Sequence, residues 1–189
     1  WTDLSGNSND GTLTNGPTFN TDKAGNIVFD GVNDWADCGP IKPTGAMTIS
    51  SWHKGDVYIN THTAGRGDTA GYELRSTIDT PNTRIQFVFR IAVSAPANTV
   101  YTSGWVTTDT SLWYNLVGVY IPSTSITTYL NGNQIFQNTT SIPASQYVGN
   151  PSNTRINKDG GTNYQAGSVA DVSIYDIALT PTQILKNYN

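Results

Sequence analysis

The chain has 189 residues, a formal charge of −4, 13% charged residues, 18 Gly, 9 Pro and a single cysteine, Cys38. That length supports one hydrophobic core, burying roughly 70% of the unfolded surface, and needs no staple to fold. A lone cysteine excludes a disulfide framework and a cysteine zinc site, and the scattered lysines and arginines of an acidic chain exclude nucleic acid and acidic membranes as expected partners. No apolar run approaches the ~20 residues of a membrane span, so membrane insertion is not expected. Charged residues are about half their usual share of roughly 25%. Asn, Thr, Ser and Gly fill the gap, a mix that favours turns and β-surfaces. The chain opens Trp1-Thr2-Asp3 without an initiator Met, and we expect a mature or excised piece of a longer chain or larger assembly.

No repeat, linker or charge run divides the sequence, so residues 1–189 are expected to form one domain. Apolar residues fall in short alternating runs, the period of half-buried strands. In chain order, strands are predicted near residues 26–29, 46–53, 72–75, 83–91, 112–121, 126–130, 134–136 and 168–175. The run at 83–91 is the clearest: Ile85, Phe87, Phe89 and Ile91 point one way, and Arg84, Gln86, Val88 and Arg90 the other. The run at 112–121 is apolar on both faces, as a central strand of a two-layer fold must be. Asn131-Gly132 between two strands supplies the positive φ angles of a two-residue hairpin turn. Helix is predicted only at the C-terminus, where Thr180 can cap, Pro181 suits the first turn and Gln183 completes a capping box. Ile184, Leu185 and Tyr188 would then dock it. The pattern is all-β: a two-sheet antiparallel sandwich with one short C-terminal helix.

Four segments carry a resemblance: Asp3 to Thr12 (DLSGNSNDGT), Phe29 to Trp35 (FDGVNDW), Met47 to Trp52 (MTISSW) and Ala170 to Leu179 (ADVSIYDIAL). Trp113-Tyr114-Asn115-Leu116-Val117 and Tyr129-Leu130-Asn131-Gly132 fit the same order. Together they resemble the laminin-G-like and pentraxin-like jelly rolls of the concanavalin A-like lectin/glucanase superfamily, across nearly the whole chain. The resemblance implies a jelly roll with one concave sheet, often a calcium ion, and binding of carbohydrate or protein.

Asp3, Ser5, Asn7 and Asn9 place oxygen side chains at alternate positions, with Gly6 permitting a tight bend, a spacing by which loops wrap Ca²⁺. The same residues also make ordinary turns. The resemblance implies completion of a structural calcium site by a backbone carbonyl near Gly31 and by the carboxylate of Asp171.

Should residues 72–75 pair with 83–91, one outward face would collect Arg75, Arg84, Gln86, Arg90 and the only glutamate, Glu73. Planar guanidinium and amide groups suit polyhydroxyl or carboxylated sugars; the alternative is a solvated face of cross-strand charge pairs. Trp105, between predicted strands and beside small residues, is the best candidate for a stacking platform, with Tyr101 and Tyr72 behind it, and core or rim packing is the alternative that composition favours. Trp35, Trp52 and Trp113 are expected to serve packing. Arg66-Gly67-Asp68 is a short match that chance and turn chemistry explain, and Asn138-Thr139-Thr140 is a glycosylation sequon that matters only in a chain secreted through an endoplasmic reticulum.

One glutamate and two histidines, His53 and His62, leave few actors for acid–base chemistry. Glycosidase relatives carry paired glutamates on one strand, which Glu73 lacks. The expected function is a non-catalytic module that binds glycan on a cell, matrix or virion surface. The alternatives are a structural or decoration domain with a surface-protein partner, and a glycan-cleaving enzyme acting through Glu73.

Overall fold

Period-two alternation builds nearly everything in this molecule. The computed structural model describes residues 1–61, 71–79, 84–94, 98–107, 109, 111–146, 153–158 and 163–189. In chain order the strands are β1 (Thr12–Thr14), β2 (Thr18–Asn20), β3 (Asn26–Asp30), β4 (Trp35–Asp37), β5 (Met47–Gly55), β6 (Val57–Asn60) and β7 (Tyr72–Asp79). There follow β8 (Arg84–Ser94), β9 (Asn98–Thr107), β10 (Tyr114–Ile121), β11 (Ser125–Leu130), β12 (Asn133–Asn138), β13 (Arg155–Ile156) and β14 (Ala166–Tyr175), then helix α1 (Pro181–Tyr188). They form two seven-stranded antiparallel sheets. The first runs β1-β4-β13-β6-β7-β8-β9, and the second β12-β11-β10-β5-β14-β3-β2.

The core lies between the sheets. From β8 it takes Ile85, Phe87, Phe89 and Ile91, all buried, and from β10 it takes Tyr114, Leu116 and Tyr120. Gly118 of β10 lies directly under the Phe89 ring, where any added Cβ would collide with it. The other face of β10 is apolar too: Val117 and Val119 join Tyr129, Leu179 and Ile184 in a second cluster. A strand apolar on both faces therefore sits inside the second sheet, as its sequence requires.

The local signals match. Asn131 (φ +49°) and Gly132 (φ +77°) form the two-residue turn between β11 and β12. Thr180 Oγ1 accepts from the Gln183 amide at 3.3 Å, and Gln183 Oε1 accepts from the Thr180 amide at 2.8 Å, the reciprocal capping box of α1. Six strands had no clear sequence signal: β1, β2, β4, β6, β9 and β13. Five span only two to four residues, too short to show a period. The sixth, β9, is ten residues long but interrupted by Ser103 and Gly104.

Strand β14 carries an irregularity of consequence. Its register shifts between Ala170 and Ser173, and Asp171 takes a positive φ of +48°. The extra residue switches parity, so Val169 before it and Val172 and Ile174 after it all reach the core.

His53 bridges the two sheets from β5. Ser76 Oγ donates to the Gly55 carbonyl at 2.9 Å, so it accepts from His53 Nδ1–H at 2.9 Å, and Nε2 accepts from the Ser51 hydroxyl at 2.5 Å. That order of donors requires a neutral ring with its proton on Nδ1. Burial alone pushes the His53 pKa down to about 3.

Candidate functional site

The register of the first sheet lays its outward side chains in rows across the strands. One row runs Asp37, Arg155, Asn60, Glu73, Arg90 and Tyr101, from β4 to β9. Beside it run Tyr58, Arg75, Val88 and Ser103, then Thr77, Gln86 and Trp105, and finally Asp79 opposite Arg84. Four of the five arginines of the chain therefore lie on one sheet face. The pairing of β7 with β8 brings together the expected set of Glu73, Arg75, Arg84, Gln86 and Arg90.

Glu73 is the hub. Its side chain is 2% exposed, Arg90 Nη2 donates to Oε2 at 2.6 Å, and Arg75 Nε lies 3.3 Å from Oε1. The Arg75 guanidinium also stands 5.6 Å over the Tyr58 ring. A carboxylate buried between two guanidiniums is a paired charge, the condition on which an ion is tolerated there. Burial draws the Arg90 pKa below its ordinary value, against the opposing pull of Glu73.

The aromatics divide by what already touches them. Trp52, on the outer face of the second sheet, stacks on Tyr188 at 5.6 Å and holds Lys23 Nζ at 3.4 Å from its ring centroid. Trp35 carries Lys158 at 4.2 Å and Arg155 at 5.6 Å. Trp105 is 43% exposed and, among the described residues, only Arg84 stacks on it, at 4.3 Å. Its place differs from the sequence expectation: it lies within β9, opposite Gln86, not between strands. Tyr101, four residues earlier on the same face, is 55% exposed and opposite Arg90. At roughly 3.3 Å per residue the two aromatics stand about 13 Å apart along the strand, with exposed Ser103 and the side chain of Val88 between them.

Tyr72 is not on this face. It shares the parity of Leu74, is 2% exposed, and bonds Thr154 Oγ1 at 2.8 Å and the Ile41 carbonyl at 3.3 Å. Burial raises its phenol pKa. Period two implies this, since Tyr72 alternates with the outward Glu73 and Arg75. The outward rows also include Asp37 and Arg155 and the buried Tyr58 and Asn60, from short strands the sequence did not mark.

The expected calcium ligands lie in three places: the Asp3 turn, the residue after β3, and the bulge of β14. Asp3 closes a turn: Oδ1 accepts from the Ser5 amide at 2.8 Å, and Oδ2 accepts from Ser5 Oγ and the Asn9 amide, both at 2.9 Å. The Asn7 amide and Nδ2 donate to Ser5 Oγ at 3.3 and 3.0 Å. The backbone hydrogen bonds from Ser5 and Asn9 hold the Asp3 pKa below the usual carboxylate value. Gly31 follows β3 beside Ala166, where an added Cβ would lie 2.9 Å from the Ala166 Cβ. Asp171 is five residues further along β14, roughly 16 Å away at strand rise. At that spacing Gly31 and Asp171 do not ligate one Ca²⁺ ion together, since its oxygens lie at roughly 2.3–2.6 Å. Among the described residues, no three His, Cys, Asp or Glu side chains gather to hold a metal. His62 and Arg66-Gly67-Asp68 lie outside the described residues. No helix among the described residues is long and apolar enough to cross a membrane.

Residues 29–185 match the laminin G family description of the concanavalin A-like lectin/glucanases superfamily. Among solved structures, the binding domain of Paraclostridial mosquitocidal protein 1 is similar with a TM-score of 0.75 and 14% identity, over 100% of this chain and 49% of that one. Domain 4 of an extracellular arabinanase from Geobacillus stearothermophilus, in complex with arabinotriose, is similar with a TM-score of 0.69 and 16% identity, over 100% of this chain and 92% of that one. A heptameric SAP-like pentraxin from Limulus polyphemus is similar with a TM-score of 0.64 and 16% identity, over 87% of this chain and 81% of that one. The chain spans about half the length of the toxin binding domains it resembles. No curated protein matches it. Likeness at these identities is likeness of fold.

Proposed function

The chain belongs to the concanavalin A-like lectin/glucanases superfamily, and from that premise we propose that it is a non-catalytic carbohydrate-binding module. The outer face of its first sheet is the proposed contact surface. One observation carries the reading: Tyr101 and Trp105 stand exposed on one strand, with Gln86 and Arg90 directly opposite them. Aromatic rings take the apolar faces of a sugar, and planar amide and guanidinium groups bond its hydroxyls. The arabinanase domain of the same fold was solved with arabinotriose, which supports glycan as the ligand class. An extracellular setting suits such a ligand and the Asn/Thr/Ser-rich surface.

Glu73 supports the non-catalytic reading. Both its oxygens face guanidiniums, whereas glycoside hydrolysis needs one carboxyl free to give a proton and a second about 5–10 Å away. Here the glutamate organises Arg75 and Arg90. Calorimetric titration with arabinotriose, after a screen on a glycan array, tests the proposal. Trp105→Ala and Tyr101→Ala are each expected to weaken binding about three- to tenfold, the range of one aromatic contact. A sugar bound equally well by both variants places the site elsewhere.

A further inference from the structure

We infer that Asp79 and Arg84 form a clamp that sets the orientation of the Trp105 ring. The inference rests on the binding face proposed above and changes the part played by one of its residues. Arg84 becomes a positioning residue and not a ligand contact.

The clamp runs across three neighbouring strands. Asp79 of β7 is directly opposite Arg84 of β8. Arg84 gives two nitrogens to the same carboxylate oxygen: Nε donates to Asp79 Oδ2 at 2.8 Å, and Nη2 lies 2.7 Å from it. The guanidinium so held lies 4.3 Å from the centre of the Trp105 ring. In the ladder Arg84 is opposite Thr107 and Trp105 is opposite Gln86, so the two side chains are diagonal neighbours on one face. That is the relation from which long side chains reach one another across a sheet.

Only arginine serves both contacts at once. Its rigid planar fork binds a carboxylate along one edge while its face stacks on an aromatic ring, whereas a lysine ammonium is a point charge with no face. The consequence for Trp105 is one face covered by Arg84, on a ring that stays 43% exposed and no longer turns freely. An exposed tryptophan without such support must give up rotamer freedom when a ligand stacks on it, and a ring held beforehand loses less. The two other stacked tryptophans make the contrast. Trp35 and Trp52 each carry two partners and are spent on packing. Arg75 and Arg90, which share Glu73 instead, stay with the ligand-facing set.

The test uses protein labelled with 5-fluorotryptophan, the Trp105 resonance being assigned by its loss in Trp105→Phe. In Asp79→Asn and in Arg84→Lys, which keep size or charge but break the clamp, that resonance is expected to shift and broaden. Affinity for arabinotriose is expected to fall about two- to fivefold, the worth of an exposed cation–π contact, with the melting temperature nearly unmoved. A Trp105 resonance unchanged in both variants overturns the clamp, whatever the sugar does. A moved resonance with undiminished arabinotriose affinity overturns its role in binding. A wild-type protein that binds no sugar, with the resonance still sensitive to Asp79, overturns the carbohydrate reading and keeps the clamp.

Discussion

The two outer faces of this sandwich are built by the same alternation and come to opposite ends. On the second sheet, Val117 and Val119 of β10 and Tyr129 of β11 point outward and are nevertheless buried, because Leu179 and Ile184 cover them. Trp52 on that face lies against Tyr188, the last residue of α1. The chain closes this face with its own tail. On the first sheet the outward rows are mostly arginines, a glutamate, amides and aromatics; Tyr58, Asn60, Glu73 and Val88 among them are buried, Tyr101 and Trp105 are exposed, and among the described residues no helix crosses them. The difference is one of solvation. Outward valines gain from any apolar cover, about 1.5–3 kcal/mol for each large side chain buried. Outward guanidiniums lose hydration under such cover and keep company only with groups that hydrogen-bond them. One face is therefore closed by an apolar cover, and on the other, among the described residues, Tyr101, Ser103 and Trp105 stay exposed.

That contrast can be broken most strongly from behind, through the core both faces share. The unfolded chain takes up a proton on His53 below about pH 6.5, while the folded chain does not until about pH 3. The folded pKa is depressed, so the stability due to this group is full above pH 6.5 and is lost as pH falls toward 3. The slope reaches about 1.4 kcal/mol per pH unit. Urea melts across that range should show the loss in the wild type and a flatter acid limb in His53→Gln. Equal slopes would mean that carboxylates alone set the acid response.

Truncation on each face sharpens the comparison directly. Ile184, 1% exposed beneath α1, is expected to cost about 2–4 kcal/mol as Ile184→Ala, with new binding of a hydrophobic dye to the uncovered strands. Trp105→Ala on the open face is expected to stay within about 0.5 kcal/mol of wild type and to spend its effect on ligand affinity. Denaturant midpoints measured side by side decide it, and comparable losses would erase the distinction between the faces. The smallest effect is expected from calcium. With Gly31 and Asp171 about 16 Å apart at strand rise, adding Ca²⁺ or EGTA should leave the melting temperature where it was. A rise of several degrees with Ca²⁺ would show that these oxygens, or others, do converge on an ion.

Parts of this structure were legible in the sequence because they are local. The Asn131-Gly132 turn needs two positive φ angles, and the capping box of α1 needs Thr and Gln three residues apart. The alternation of Ile85, Phe87, Phe89 and Ile91 needs only a strand. The site was legible by half. Parity alone put Glu73, Arg75, Gln86 and Arg90 outward, and the same parity should have put Tyr72 inward. The row from Asp37 through Arg155 and Asn60 was not legible, because it joins residues from strands too short to show a period and far apart in the chain. The parity switch at Asp171 was equally hidden, since a bulge is an event of pairing.

The sequence by itself determined two antiparallel sheets, one doubly apolar strand, one tail helix and the outward direction of most of the arginines. Each follows from side-chain period, turn chemistry or capping within a few residues. Only the tertiary structure decided which strands are neighbours, and so which outward residues meet: Glu73 with Arg75 and Arg90, Asp79 with Arg84, Arg84 with Trp105. It also set Gly31 against Ala166, five residues along β14 from Asp171. Register across a sheet is set by packing over the whole interface, and a linear pattern of polar and apolar residues does not contain it.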